Sequence, residues 1–387
     1  MAYRFGDNEA MHSDGLFFDA VDLKMRLYRD AEGNVAPRHE RERSAAAVED
    51  NGDVTFCFFA PEAQTVAVSG FGGAFSDEKR PMARDAEGYW SVRVPGIPAG
   101  FHYLNFYVDG VCVTNPLGRV AYGAHKTANF VEIPEEDDFY ALKNVPHGTL
   151  RLEHFHAETT ARTRDCWVYT PPGYDERPER AYPVLYLQHG GGETETGWIW
   201  QGKVNYILDN LIAQGACEPM IVVMNCLYCV DERVHNEFLT GDFDRMLLTD
   251  CIPFIEGRFR VKPGDENRAM AGLSMGSYQT AMTTLRHLGT FPWIGIFSGA
   301  LIRRWYCDFD LYEKFRDVAA FNEKIRLFFF GYGEQETRII DGLTPDLQAF
   351  DASGIRYEKF TCPGYHEWTV WRKCLRAFAQ KIFREGR

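Results

Sequence analysis

The sequence lacks the features that would suit it to nucleic acid or to a membrane. Positive charge is scarce: 42 Lys and Arg stand against 55 Asp and Glu, a net charge of −13, and the basic residues cluster only in the short run 38–43. So acidic a chain would repel a phosphate backbone, so no nucleic-acid partner is expected. No apolar run reaches the ~20 residues of a transmembrane helix, so no membrane partner is expected either.

The N-terminus has no recognisable export signal. It reads Met1-Ala-Tyr-Arg-Phe-Gly-Asp-Asn-Glu, without a basic start followed by an apolar core. We therefore expect a cytoplasmic protein, although a secreted protein with its signal removed would look the same. The ten cysteines then fit reduced, buried residues better than a disulfide framework.

What the chain does have is enough apolar sequence for two domains. Of its 387 residues, 45% are hydrophobic, and that length suits two cores better than one. Short β-rich runs come first, and Asp109-Gly110 is a strong hairpin signal between two of them. The runs are residues 54–59, 65–69, 89–94, 101–108 and 111–113. Their spacing, with no helical period between them, predicts a β-sandwich of immunoglobulin-like size.

Beyond residue 150 the pattern alternates between strand and helix. Near-continuous apolar runs occupy residues 183–188, 220–225, 293–297 and 325–330. Runs of this kind are typical of parallel strands that are covered on both faces. Helical periodicity lies between them, at residues 206–213, 246–258 and 278–288. The alternation predicts an α/β domain with a parallel sheet.

The segment Ala269-Met-Ala-Gly-Leu-Ser-Met-Gly276 carries the strongest chemical signal. Gly-x-Ser-x-Gly between a strand and a helix is a nucleophile elbow, a turn so tight that only small residues fit beside the serine. The bend lifts the Ser274 hydroxyl above the sheet. A Gly-rich turn that only packs helix on strand is the alternative, and the flanking strand and helix patterns disfavour it.

A glycine run, His189-Gly-Gly-Gly192, directly follows an earlier strand. Glycines there let backbone N–H groups approach a substrate carbonyl. We expect the N–H groups of Gly191 and Met275 to form an oxyanion hole. His189 itself is expected to be a structural hydrogen-bonding residue and not a base.

The general base is expected to lie after Ser274, because this fold orders its triad serine, acid, histidine. His235 precedes the serine, and His287 lies in the helix that follows it. His366 lies between a strand and the C-terminal helix, where an imidazole can reach the carboxyl edge of the sheet. Position therefore selects His366.

The acid that orients the base should follow the strand at residues 325–330. Glu334 and Glu336 both do so, and Asp341 is a more distant candidate. A carboxylate is needed to hold the imidazole tautomer and to stabilise the imidazolium. Spacing alone does not choose between the two glutamates.

Residues 149–387 resemble the esterase D or feruloyl-esterase group of α/β-hydrolases, which includes enterochelin esterases. The matching stretches are Tyr182-Pro-Val-Leu-Tyr-Leu-Gln-His-Gly-Gly-Gly192, Arg268-Ala-Met-Ala-Gly-Leu-Ser-Met-Gly276 and Gly364-Tyr-His-Glu-Trp-Thr-Val-Trp-Arg372. In that family Gly-x-x-Asp supplies the acid, which matches Gly333-Glu-Gln-Glu336. The resemblance therefore favours Glu336, with Glu in place of the commoner Asp.

Residues 50–134 are similar to the immunoglobulin-like (E-set) modules that precede such esterases and glycogen-branching enzymes. Phe59-Ala-Pro-Glu-Ala63, Gly88-Tyr-Trp90 and Tyr107-Val-Asp-Gly110 carry this match. Such modules bind sugar in some relatives and shape the active site in others. Trp90 and Tyr103 are the candidate sugar-stacking residues, although aromatics at alternate strand positions are more often core.

Together these features predict an all-β immunoglobulin-like sandwich followed by an α/β-hydrolase domain with a mostly parallel central sheet. The expected boundaries are an N-terminal extension (1–48), the sandwich (49–134), a linker (135–148) and the hydrolase domain (149–387). The resemblance implies a serine esterase that needs no metal or organic cofactor. Its expected substrates are feruloyl (hydroxycinnamoyl) or acetyl esters of xylan-derived oligosaccharides.

Two other functions and several details stay open at this stage. A siderophore trilactone esterase is one alternative, and a non-catalytic glycan-binding protein is the other. Trp198, Trp368 and Tyr228 are candidates for the wall of the substrate site, with a core role equally expected for the tryptophans. Residues 226–244 are a candidate lid or specificity loop over the site. The oligomeric state is undecided, with a homodimer as one option.

Overall fold

The computed structural model describes residues 23–29, 32–41, 44–229, 242–301 and 310–384. The chain divides into two compact units, Met1–Tyr122 with Lys126–Asp138, and Gly123–His125 with Phe139–Arg387. Among the helices in the described ranges, none is long and apolar enough to span a membrane. Most cysteines of these ranges are buried, and all of them are free thiols.

The first unit is built from β-strands. Its strands are β1 (Leu23–Arg29), β2 (Val35–Arg41), β3 (Ala46–Val48), β4 (Val54–Phe59), β5 (Val66–Ser69), β6 (Arg80–Pro81), β7 (Ala83–Arg84), β8 (Tyr89–Val94), β9 (Gly100–Val108), β10 (Val111–Val113), β11 (Val120–Gly123) and β12 (Lys126–Ile133). One sheet has the order β11-β12-β9-β5-β6 with β10 beside β9, and another has the order β3-β4-β8-β7. β1 and β2 form a separate antiparallel pair.

Aromatic side chains fill the core between the two larger sheets. The ring of Phe106, on β9, lies 5.5 Å from that of Phe58, on β4. Trp90, a candidate sugar-stacking residue, is buried in this core, and its Nε1 donates to the carbonyl of Ala60 at 2.8 Å. The sandwich predicted from the β-rich runs is therefore confirmed, and Trp90 has the packing role.

The second unit is an eight-stranded sheet flanked by helices. Its strands are β13 (Thr149–Ala157), β14 (Arg162–Thr170), β15 (Val184–Gln188), β16 (Ile221–Asn225), β17 (Arg268–Leu273), β18 (Trp293–Phe297), β19 (Leu327–Gly333) and β20 (Glu358–Cys362). Its helices are α1 (Gly197–Trp200), α2 (Val204–Ala213), α3 (Phe243–Met246), α4 (Ile252–Arg258), α5 (Met275–Arg286), α6 (Val318–Lys324), α7 (Thr337–Ser353) and α8 (Trp368–Ala379), and a π-helical turn (Leu247–Cys251) joins α3 to α4.

The strand order in this sheet is β13-β14-β16-β15-β17-β18-β19-β20. Strands β15 to β20 run parallel to one another. At one edge, β14 is antiparallel to β16, and β13 is antiparallel to β14. The mostly parallel sheet expected from the buried apolar runs is confirmed. Parallel strands end at the same edge, so the loops after β15, β17, β18, β19 and β20 meet there.

The expected linker, residues 135–148, differs from the structure in its second half. Residues from Phe139 onward belong to the second unit, and Phe139 is buried. The Asn210 amide on α2 donates to the carbonyls of Phe139 and Ala141 at 2.8 and 2.9 Å. Asp209 accepts the N–H of Gly148 at 2.9 Å. These bonds tie the segment to α2, so it is part of the α/β unit and not a free connector.

Candidate active site

Ser274 lies at a sharp turn between β17 and α5. Its backbone has φ 51° and ψ −117°, a conformation that non-glycine residues rarely adopt. A Cβ added to Gly272 would lie 2.4 Å from the carbonyl oxygen of Gly276, and one added to Gly276 would lie 2.3 Å from that of His189. Only glycine fits on either side of the serine, which is the steric requirement of a nucleophile elbow.

The structure brings the three predicted triad residues together. His366 Nε2 lies 2.9 Å from Ser274 Oγ, and His366 Nδ1 lies 2.6 Å from Glu336 Oε1. The side chain of Glu336 is 1% exposed and that of His366 is 44% exposed. Glu334, the other glutamate that spacing allowed, is exposed to solvent. The geometry thus selects Glu336 as the carboxylate that orients the imidazole.

The loop that carries His366 is fastened to the loop that carries the acid. Gln335 accepts the Gly364 N–H through its side-chain Oε1 at 2.5 Å and donates its own backbone N–H to the Gly364 carbonyl at 3.1 Å. The ring of Trp371, on α8, stands edge-on to His366 with centroids 5.1 Å apart. These contacts limit the movement of the imidazole, which keeps it within reach of both triad partners.

Both predicted oxyanion donors lie beside the nucleophile. A Cβ on Gly190 would lie 3.4 Å from Ser274 Cβ, and one on Gly191 would lie 3.8 Å from the Met275 side chain. Gly191 is exposed to solvent. Met275 is the first residue of α5, where backbone N–H groups have no intrahelical acceptor and the helix dipole favours negative charge.

His189 is fully enclosed and holds the glycine loop from behind. Its Nε2 accepts the Leu227 N–H at 3.2 Å, so the proton is on Nδ1, which lies 2.8 Å from the Gly190 carbonyl oxygen. Burial lowers the pKa of His189 from 6.5 to about 4, so the ring is neutral at pH 7. A trans peptide points its C=O and N–H in opposite directions, so anchoring the Gly190 carbonyl also fixes the direction of the Gly191 N–H.

The lowered pKa of His189 predicts acid-sensitive stability. As pH falls below 6.5, His189 becomes protonated in the unfolded chain, whereas in the folded chain it stays neutral down to about pH 4. The protonation of His189 alone should lower the free energy of unfolding by about 3 kcal/mol between pH 7 and pH 4. We expect the stability gap between wild type and His189→Gln, measured by urea unfolding, to narrow by that amount over this range. The matched control is His154→Gln, at an exposed histidine; an equal narrowing there would contradict the assignment.

The two tryptophans proposed for the substrate wall are core residues. Trp198 is 0% exposed and Trp368 is 1% exposed, and their rings meet edge-to-face at 5.3 Å. Each indole N–H donates inward, from Trp198 to the Gln188 carbonyl at 2.9 Å and from Trp368 to Glu193 Oε1 at 3.1 Å. A ring with no accessible face cannot contact a substrate, so the wall role is corrected for both.

Tyr228, the third wall candidate, does lie beside the site. Its hydroxyl accepts the Gly192 N–H at 2.9 Å, and its ring is 5.6 Å from that of His189. Arg164 supports this segment by donating to the carbonyl of Tyr228 at 3.0 Å. Most of the candidate lid, residues 230–241, lies outside the described residues. Within the described ranges, no cluster of three or more His, Cys, Asp or Glu is arranged to hold a metal ion.

Sequence reasoning missed Ser298 and Trp371. Ser298 Oγ donates to Glu336 Oε2 at 2.8 Å, and Trp371 packs on His366. Ser298 was detectable, because it is a polar residue directly after the apolar strand β18, the same signal that pointed to the acid. Trp371 lies in the matching stretch 364–372 but was given no role there, since a tryptophan in an amphipathic helix usually belongs to the core.

Two family models match the chain. Residues 157–321 match the putative esterase family, and residues 44–111 match carbohydrate-binding module 48, the isoamylase N-terminal domain. The chain carries an esterase-family domain. Residues 44–111, within the N-terminal sandwich, are similar to modules of the second family. The two matches confirm the resemblance stated for both parts of the sequence.

Curated relatives are larger than this chain. It is 35% identical over 359 residues to an endo-1,4-β-xylanase/feruloyl esterase of Xylanibacter ruminicola, an alignment covering 90% of this chain and 47% of that protein. It is 33% identical over 132 residues to endo-1,4-β-xylanase Y of Acetivibrio thermocellus, covering 30% of this chain and 11% of that protein. The chain thus spans about half or less of the length of these relatives.

Solved structures of esterases share the fold of this chain. A ferulic acid esterase of Anaeromyces mucronatus, in complex with ferulic acid, aligns with TM-score 0.56 and 19% identity over 64% of this chain and 96% of that one. The enterobactin esterase of Shigella flexneri aligns with TM-score 0.65 and 15% identity over 86% of this chain and 94% of that one. The predicted α/β-hydrolase fold is confirmed.

Proposed function

We propose that the second unit hydrolyses carboxylic esters through an acyl-serine intermediate. The observation that carries this proposal is the unbroken hydrogen-bond chain from Ser274 Oγ through His366 to the buried carboxylate of Glu336. A nucleophile, a base within hydrogen-bond reach and a third group that orients the base are the requirements for activating a serine hydroxyl.

The geometry gives each residue a role in the first half of the reaction. His366 Nε2 removes the hydroxyl proton as Ser274 Oγ attacks the ester carbonyl carbon. The oxyanion that forms is stabilised by the N–H groups of Gly191 and Met275. His366 then gives its proton to the departing alcohol oxygen, which leaves the acyl group bonded to Ser274. Glu336 stabilises the imidazolium throughout this half-reaction.

Water completes the cycle by the same steps in reverse. His366 takes a proton from a water molecule, whose oxygen attacks the acyl carbon of the ester on Ser274. The second oxyanion occupies the same two N–H groups, and the proton returns to Ser274 Oγ as the acid departs. Because His366 is 44% exposed, water can reach the acyl-enzyme without a large rearrangement of the triad.

For the substrate, we propose feruloyl (hydroxycinnamoyl) or acetyl esters on xylan-derived oligosaccharides. The support is the relative of Xylanibacter ruminicola, which is named as both a xylanase and a feruloyl esterase. The sugar part of such a substrate carries no charge. A chain with a net charge of −13 therefore accepts it without electrostatic cost.

A siderophore trilactone is the second candidate substrate, because the enterobactin esterase of Shigella flexneri aligns over 86% of this chain. A ferric tricatecholate is strongly anionic, however, and the net charge of −13 disfavours its approach. The non-catalytic glycan-binding alternative is disfavoured on different grounds. Sugar binding by the sandwich requires no aligned Ser274 and His366 in the second unit.

The test is hydrolysis of three esters by the full chain: methyl ferulate, 4-nitrophenyl acetate and a siderophore trilactone, with Ser274→Ala as the blank. We expect Ser274-dependent cleavage of methyl ferulate with the highest kcat/KM of the three. Cleavage of the acetate alone would support a deacetylase. Cleavage of the trilactone alone would overturn the substrate proposal. No Ser274-dependent cleavage of any ester would overturn the hydrolase proposal.

A further inference from the structure

We propose that Ser298 is a positioning residue of this triad: its hydroxyl, together with the Gly333 N–H, fixes the carboxylate of Glu336 in the orientation that His366 needs. This inference rests on the proposed ester hydrolysis and assigns a role to a residue outside the predicted site. Ser298 follows β18, and Glu336 precedes α7. The two residues are 38 positions apart in the sequence.

Both oxygens of the Glu336 carboxylate have a defined neighbour. Oε2 accepts the Ser298 hydroxyl at 2.8 Å and the Gly333 N–H at 2.6 Å. Oε1 faces His366 Nδ1 at 2.6 Å. Three contacts on two oxygens fix the plane of the carboxylate as well as its position. Hydrogen bonds to a charged acceptor are also stronger than those between neutral groups.

The longer side chain of glutamate makes this support necessary. Glutamate has one more rotatable bond than aspartate, so its carboxylate has more orientations to lose when it is held in one place. Here the Glu336 side chain folds back over its own turn, where the Glu336 N–H also donates to the Gly333 carbonyl at 3.1 Å. The Gly333 contact is local to that turn. Ser298 is the anchor that comes from a different part of the sheet, the loop after β18.

The backbone at Ser298 points to a role for the side chain. Ser298 is fully buried and has φ 49°, a left-handed conformation in which glycine is the favoured residue. Its N–H donates to the Gly331 carbonyl at 2.7 Å, which holds the backbone in this conformation. A serine that is strained here supplies a hydroxyl that glycine would not, and strain of this kind is concentrated at functional sites.

Because Ser298 is buried behind the acid, its loss should slow the chemistry and leave binding unchanged. The test is the rate at which a 4-nitrophenyl alkylphosphonate labels Ser274, a reaction that can be followed without knowing the natural ester. Ser274 Oγ forms a bond to phosphorus, the nitrophenolate leaves with the bonding electron pair, and His366 retains the serine proton. Released nitrophenolate gives the maximal labelling rate and the half-saturating concentration.

We expect Ser298→Ala to lower the maximal labelling rate about 10- to 100-fold, the usual effect of losing one hydrogen bond to a charged group. The half-saturating concentration should stay within about 2-fold, because Ser298 touches no reagent. Ser298→Gly also lacks the hydroxyl but relieves the positive φ. It should therefore lose the same rate while its Tm is at least that of Ser298→Ala. The matched control is Thr284→Val, which removes a buried hydroxyl on α5 and should keep the wild-type rate.

Adding Ser298→Ala to the Glu336→Gln variant separates a positioning role of Ser298 from a general structural effect. In Glu336→Gln, the hydroxyl of Ser298 no longer has a carboxylate to orient, so adding Ser298→Ala should change the labelling rate by less than about 2-fold. Wild-type rates in both Ser298 variants, or an equal loss in the Glu336→Gln background, would overturn the role of Ser298. A wild-type chain that the phosphonate does not label at Ser274 would instead overturn the proposed hydrolase function, and this inference with it.

Discussion

Replacing Ser274 with alanine is expected to lower kcat/KM for the preferred ester by at least about 10⁴-fold, because the attacking oxygen is removed and no other residue replaces it. Residual turnover would come from the oxyanion donors and from binding alone. The measurement is steady-state hydrolysis at pH 7 by the full chain. Mass spectrometry after phosphonate treatment should show an adduct on the wild type and none on Ser274→Ala.

The control for this variant is Ser353→Ala. Ser353 is an exposed serine at the end of α7 and should keep wild-type activity and the phosphonate adduct. Ser274→Ala should also keep its fold, since alanine is small enough for the elbow between Gly272 and Gly276. Turnover by Ser274→Ala at the wild-type rate, or an adduct that persists on it, would show that the nucleophile lies elsewhere.

The nucleophile, the base and the glycine loop could be predicted from sequence because each is coded locally. Because no Cβ fits at positions 272 and 276, both must be glycine, which gives the short motif Gly-x-Ser-x-Gly. The order of the strands then places Ser274 and His366 at one edge of the sheet. Motif and topology together leave few alternatives. The same logic predicted the oxyanion donors Gly191 and Met275, which flank that edge.

Spacing alone could not choose the acid, because the choice depends on side-chain direction. The match to the family's Gly-x-x-Asp pattern favoured Glu336, and the structure places that carboxylate on His366. Glu334 and Glu336 lie on one turn after β19, and only the fold shows that the first points to solvent while the second is buried against His366. The contact from Ser298 spans 38 residues. The position of Ser298 directly after β18 is visible in the sequence, but no local pattern pairs it with Glu336.

Burial was the other quantity that sequence could not supply. For Trp198 and Trp368 the sequence left a substrate role and a core role equally open, and the structure decides for the core, since their indole N–H groups donate to buried acceptors. The hairpin of β13 and β14 was also missed, because an edge strand such as Thr149–Ala157 mixes charged and apolar residues and is largely exposed. In both cases tertiary packing outweighs the local pattern.

The second large effect is expected at the acid. Glu336→Gln should lower kcat about 10³- to 10⁴-fold, because an amide keeps the shape of the carboxylate but can neither stabilise the imidazolium nor hold the tautomer with the proton on His366 Nδ1. KM should change little, since Glu336 is buried below the imidazole. Steady-state kinetics on the ester that the wild type cleaves gives both constants.

Glu334→Gln is the matched control, because it makes the same chemical change two residues away at an exposed position. It should keep kcat within about 2-fold of wild type, the range typical of surface substitutions. Glu336→Asp tests reach separately from charge: the carboxylate is retained but shortened by one methylene, so it cannot meet His366, Ser298 and Gly333 at once. This variant should lose some kcat because of the shorter reach. The loss should be smaller than that of Glu336→Gln, because the negative charge that stabilises the imidazolium is retained. A large loss in Glu334→Gln with near-normal kcat in Glu336→Gln would reverse the assignment of the acid.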